Sequence, residues 1–137
     1  MVDRELVRKK LAFIETCVHD LRTLARLERI EEDVREERFV AHTLQLAIQA
    51  ALDVASHIVS DERLGEPQTN RELFNLLVRS GWVSGELAAT LRAMVGFRNI
   101  VVHGYEVVDP SIMRNIVEHR LDDLLAYSAG VRTRLDS

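Results

Sequence analysis

The sequence of 137 residues has one cysteine, two prolines and six glycines, and aromatic side chains make up only 5% of it. A lone Cys17 excludes an internal disulfide and any zinc site that needs two thiolates, which points to a reducing, cytoplasmic setting. Helix breakers are scarce and leave long stretches uninterrupted, so the chain is expected to be all-α. No apolar run is long enough for a membrane span or a signal segment, and no membrane association is expected. A basic excess is missing too. Lys plus Arg number 18 against 22 Asp plus Glu, a formal charge of −4, which argues against binding nucleic acid by bulk electrostatics and confines such a role to a local patch. What remains is ordinary for a globular protein, 47% hydrophobic and 29% charged, and the length suits one domain over 1–137.

Apolar spacing fills in the helices. Val7, Leu11, Ile14, Val18, Leu21 and Ala25 recur at intervals of four and three, on one face of a helix from Asp3 to about Arg29. The acidic run 31–38 is either a polar connection or the exposed first turn of a second helix, where its acids meet the positive end of the dipole. That second helix, Phe39 to about Ser60, is so rich in apolar residues and alanine that it is expected at the centre, with close neighbours. Gly65 and Pro67 mark a loop over 61–70, and Thr69 with Glu72 forms a capping-box signature that opens a short third helix. Gly81 is placed to end it, and Ser84 to cap a fourth carrying Leu87, Leu91, Met94 and Val95. Asp109-Pro110 opens a last helix with Val117, Leu121, Leu124, Ser128, Val131 and Leu135 on one stripe. The expectation is a bundle of about five helices, roughly antiparallel across short connections.

Chemistry concentrates in residues 94–105, Met-Val-Gly-Phe-Arg-Asn-Ile-Val-Val-His-Gly-Tyr. Arg98 falls four residues after Met94 and seven after Leu91, so a guanidinium shares a stripe with core residues. A charge in that position is normally paired, or it faces a cleft or a subunit seam. Gly104 permits the left-handed backbone that ends a helix, gathering Arg98, His103 and Tyr105 near one helix end. An arginine fork suits phosphate oxygens, and a histidine, with an ordinary pKa of about 6.5, exchanges a proton with a ribose 2′-hydroxyl or a leaving oxygen without a metal. The same residues also fit a structural role, with Arg98 in an ion pair, His103 capping the helix and Tyr105 packed on a neighbour. Asp53 and His57 stand four apart on the second helix and read as an Asp-His pair. His19 and His119 have no partners at metal-ligand spacing and no metal site is expected; Cys17 reads as a small buried side chain and Trp82 as a loop anchor.

The pattern Arg98-Asn99-Ile100-Val101-Val102-His103-Gly104-Tyr105, an R-x4-H-x-Y motif, closely resembles the HEPN superfamily. More narrowly it is similar to the HepT-like toxins that are paired with minimal nucleotidyltransferase antitoxins. The likeness extends to the alanine-rich second helix with Asp53 and His57, the Leu64-Gly65-Glu66-Pro67 loop, Phe74-Asn75-Leu76-Leu77, and Met94-Val95-Gly96 before the arginine. The resemblance implies a helical homodimer whose two arginine-histidine motifs meet across the subunit seam, acting as an RNase that needs no metal or other cofactor. It makes Arg98 the phosphate-binding catalytic residue and His103 the general acid or base, with Asn99 and Asp53 in support. It also makes Tyr105 the residue on which the partner nucleotidyltransferase, using ATP and Mg, places AMP. A nucleotide there would block the cleft by bulk and negative charge. An alternative role is a non-catalytic subunit that docks the nucleotidyltransferase and presents nucleotide or substrate to it.

The charge balance fits a local site. Over residues 73–105, Arg79, Arg92 and Arg98 stand against Glu86, a local +2 within a chain of −4. Binding to bulk RNA is therefore expected to be weak and salt-sensitive.

Overall fold

The computed structural model of the chain describes residues 2–104 and 108–137; the expected modification site, Tyr105, lies outside them. Among the described residues there are no strands, and the α-helices are six, with one short 3-10 turn at Leu27–Arg29. They are α1 (Arg4–Leu24), α2 (Val34–Asp61), α3 (Asn70–Arg79), α4 (Gly85–His103), α5 (Pro110–His119) and α6 (Leu121–Leu135). Among the described residues no helix is long and apolar enough to cross a membrane.

The starts of α1 to α5 are written in polar side chains. Asp3 accepts from the Leu6 amide at 3.1 Å and Ser84 from the Leu87 amide at 3.1 Å, satisfying N–H groups that have no partner within the helix. Thr69 accepts from the Glu72 amide at 3.3 Å, while the Glu72 carboxylate reaches back to the Gln68 amide at 2.7 Å, closing the capping box one residue earlier than the usual pattern. The end of α3 is a Schellman turn: Gly81 has φ +78, its N–H bonds the Val78 carbonyl at 3.1 Å, and the Trp82 N–H bonds Leu77 at 2.9 Å. Trp82 is buried, with the Arg134 guanidinium 5.0 Å from its ring centre, so it does anchor this turn, against the end of α6.

Three expectations need correction. The first helix stops at Leu24 rather than near Arg29, because Ala25 turns extended (ψ 136) even though it prolongs the apolar stripe. The acidic run is divided: α2 begins at Val34 on an Asp33 cap with Glu36 and Glu37 in its first turn, and Glu36 accepts from the Arg26 amide at 2.8 Å across the connection. The last helix is two helices, broken at Arg120 (φ −121, ψ −2) without glycine or proline, which makes six helices instead of about five. The stripe runs straight through the break, so α5 can turn to pack on α2 while α6 packs on α1 and α4.

α2 is the central element, with Val40, Leu44, Ala47, Ala51, Val54 and Ile58 buried along it. Polar pairs across the helices fix their directions. Arg8 with Asp136, Glu15 with Arg132, and Arg22 with Asp122 make α1 and α6 antiparallel. Lys10 with Asp53 does the same for α1 and α2, together with the Asp3 amide donating to Asp61. Arg92 donates to Asn75 at 2.7 Å and binds α4 to α3. At the centre, the buried Tyr127 hydroxyl of α6 donates to the Ala51 carbonyl of α2 at 2.9 Å, and the Tyr127 ring stands edge-on to Phe74 of α3.

Candidate active site

The last two turns of α4 carry the arginine and the histidine. The helix ends at His103 because Gly104 takes φ +66 and its N–H closes on the Ile100 carbonyl at 3.1 Å. Arg98 is half-buried. Its Nη1 donates to the Asn99 side-chain oxygen at 2.9 Å and its Nη2 to the Gln49 side-chain oxygen, on α2, at 2.5 Å. Its Nε is buried and, among the described residues, has no hydrogen-bond partner.

From Gln49 the ladder continues. Its amide nitrogen donates to one Asp53 oxygen at 2.9 Å, and the other Asp53 oxygen accepts from Lys10, on α1, at 3.1 Å. Five side chains on three helices thus form one polar line, Asn99, Arg98, Gln49, Asp53 and Lys10. The charges are distributed along it in a particular way. Lys10 offsets Asp53, whereas Arg98 is held by two neutral amide oxygens, and among the described residues no carboxylate forms an ion pair with it. Its fork is fixed by hydrogen bonds while its positive charge stays available to an anion, which an Arg98–carboxylate ion pair would prevent.

Among the described residues the Asp53–His57 pair expected from spacing does not form; the Asp53 oxygens accept from Gln49 and Lys10 instead. His103 is exposed at the helix end, while Arg98 lies five residues earlier on the same helix. That separation amounts to roughly 7.5 Å along the axis and about 140° around it, so the two do not share a face. Asn99 is half-buried and also lines a cavity of about 500 Å³ with Thr69, Asn70, Arg71 and Val95. His19, His42 and His119 are exposed, and among the described residues no three His, Cys, Asp or Glu side chains converge as metal ligands. Cys17 is buried, which pushes its thiol up to about 11.

Gln49 and Lys10 are the ladder residues that sequence reasoning misses. Gln49 had a signal: it stands four residues before Asp53 on the same helix, where two polar side chains on one face are worth pairing. Lys10 had none, because its partnership depends on how α1 docks.

A family model described as ribonuclease HepT-like matches residues 14–131 of this chain. The chain is 31% identical over 120 residues to the mRNA nuclease HepT of Shewanella oneidensis, covering 87% of this chain and 90% of that one. It is 36% identical over 109 residues to the tRNA nuclease HepT of Aphanizomenon flos-aquae, covering 80% and 71%. Among solved structures, a tri-AMPylated HEPN toxin of Shewanella oneidensis in complex with an MNT antitoxin superposes with a TM-score of 0.87 at 29% identity, covering 97% and 99% of the two chains.

Proposed function

The chain belongs to the ribonuclease HepT-like family, and from that premise we propose that it is the endoribonuclease toxin of a toxin–antitoxin pair, cutting RNA with Arg98 and His103. The observation that carries this reading is the half-buried Arg98 guanidinium, held by Gln49 and Asn99 through neutral oxygens and, among the described residues, paired with no carboxylate. Such a group binds a phosphodiester and stabilises the extra negative charge that develops on its oxygens during attack. His103 takes the proton from a ribose 2′-hydroxyl, or returns one to the departing 5′-oxygen. The 2′-oxygen bonds to phosphorus as the P–O5′ bond breaks, leaving a 2′,3′-cyclic phosphate and a 5′-hydroxyl. These steps need no metal. Asn99 positions Arg98 directly, and Asp53 does so through Gln49.

Because Arg98 and His103 point about 140° apart on one helix, a complete site is best built from two copies of the motif facing each other across a homodimer seam. Silencing would come from a cognate minimal nucleotidyltransferase. Using ATP and Mg, it would transfer AMP to the Tyr105 hydroxyl, next to His103, where the added phosphate competes with RNA for Arg98.

Purified protein should cleave RNA in the presence of a chelator and leave cyclic phosphate ends, with His103→Ala removing both cleavage and growth arrest. Cleavage that survives this substitution would take His103 out of the mechanism. Intact RNA together with a stable nucleotidyltransferase complex would assign the chain a nucleotide-presenting role instead. Incubation with that partner, ATP and Mg should add AMP mass to the peptide containing Tyr105.

A further inference from the structure

The cavity beside Asn99 lies between the start of α3 and one face of α4, and its volume of about 500 Å³ is in the range of small-molecule sites, roughly 300–1,000 Å³. Three features give it a chemistry. The first is Arg71, exposed at the cavity wall and, among the described residues, engaged in no hydrogen bond or ion pair. The second is Asn99, whose side-chain oxygen is taken by Arg98, so that its NH2 is what it can offer to a ligand. The third is Gly96. Glycine inside a helix costs about 1 kcal/mol relative to alanine, and a Cβ at this position would stand 2.7 Å from Arg71 Nη2, so the flexible guanidinium would have to move away. The bare backbone of α4 is what lets the Arg71 guanidinium lie against it. The start of α3 is already capped by Thr69 and Glu72, so the free charge at this place is that of Arg71.

Helical geometry ties this cavity to the reaction. Gly96, Asn99 and His103 are spaced i, i+3, i+7 and share one face of α4, with Arg98 on the flank toward α2. From Gly96 to His103 is about 10 Å along the axis, further than one phosphate group reaches.

We propose that Arg71 and Asn99 form a second phosphate subsite, which grips the RNA strand at a phosphate flanking the scissile one, and that Gly96 exists to admit the Arg71 guanidinium. The proposal rests on reading Arg98 and His103 as the cleavage site, and it adds the direction in which the strand leaves: down the α4 face toward the start of α3.

The test is direct binding of a short 2′-O-methyl oligoribonucleotide, which has no free 2′-hydroxyl to attack, followed by fluorescence anisotropy over a salt series. Arg71→Ala should weaken binding about tenfold at low salt and reduce the salt slope by roughly 0.7, the value for one phosphate contact on a single strand. Gly96→Ala should weaken binding in the same way while keeping or raising Tm, because its Cβ displaces the guanidinium and removes a helix-interior glycine. In the Arg71→Ala background, Gly96→Ala should change nothing further. Binding unaffected by Arg71→Ala, losses that add in the double variant, or no binding by the wild-type chain would each overturn the subsite. A wild-type chain that binds through Arg71 yet cuts no RNA would uphold the subsite and sink the nuclease reading, so the two fail separately.

Discussion

Gln49 on α2 accepts from Arg98 on α4 at 2.5 Å and passes the interaction on to Asp53 through its own amide nitrogen at 2.9 Å. A carboxylate in the place of Gln49 would neutralise the arginine; an alanine would leave it unheld. The carboxamide does neither, holding the fork in place while preserving its charge.

Gln49→Ala should therefore lower kcat/KM for RNA cleavage by about 10- to 100-fold, the equivalent of ~1.5–3 kcal/mol for a hydrogen bond to a charged group. Gln49→Glu separates positioning from charge. It keeps an acceptor for Arg98 but pairs its positive charge, so cleavage should stay low, while a new carboxylate opposite Asp53 should lower Tm. Wild-type cleavage in either variant would refute the role of Gln49 in holding an uncompensated charge.

Glu15 gives the fold an acid-sensitive joint between α1 and α6. The Arg132 guanidinium, bonded to it at 2.9 and 3.0 Å, holds its carboxyl below the ordinary 4.5, with the Ser128 hydroxyl helping and burial opposing. A depressed carboxyl stabilises the native state fully above its ordinary pKa, and that contribution disappears as pH falls through the lower, folded value. Tm should thus drop as pH is taken below about 4.5, and Glu15→Gln should flatten that limb of the curve. An unchanged acid limb in the variant would contradict the assignment.

Tyr127→Phe removes the buried donor to the Ala51 carbonyl without changing the ring that meets Phe74. The loss should be about 1 kcal/mol, or roughly 3–5 °C in Tm, with cleavage by the folded protein unaltered. Thermal melts and assays well below Tm check both halves of this expectation.

Cys17 is a probe of unfolding. Its thiol, pushed up to about 11 by burial on α1 with the Asp20 carboxylate adding to the shift, should resist alkylation at pH 8 in the native protein. In denaturant it should react at once and stoichiometrically. Fast native labelling would mean that α1 opens readily.

The helix starts and the α4 end are legible in the sequence because each is local: a Thr69, Ser84 or Asp109 cap and the Gly104 stop act within a few residues. The break at Arg120 is not legible, since Met113, Val117, Leu121 and Leu124 keep helical spacing across it and only packing shows the turn. The site divides the same way. Arg98, Asn99 and His103 sit within one helix and can be read as a motif, and Asp53 comes with the family likeness. Lys10 and Arg71 gain their places only when α1 docks on α2 and α3 on α4, and no local pattern records those contacts.

Two glycines on either side of Arg98 are held by opposite constraints, and this predicts different mutational tolerance. At 104 an added Cβ would meet nothing within 4 Å, so only the dihedral, φ +66, asks for glycine. Asparagine, which visits that region most readily among side-chain-bearing residues, should survive there in a library selected for function. At 96 the backbone is ordinary helix and the space is filled only by the movable end of the Arg71 side chain. A side chain there should weaken RNA binding by displacing Arg71 even where it stabilises the helix, so a screen for stability and a screen for activity should disagree at position 96 and agree at 104.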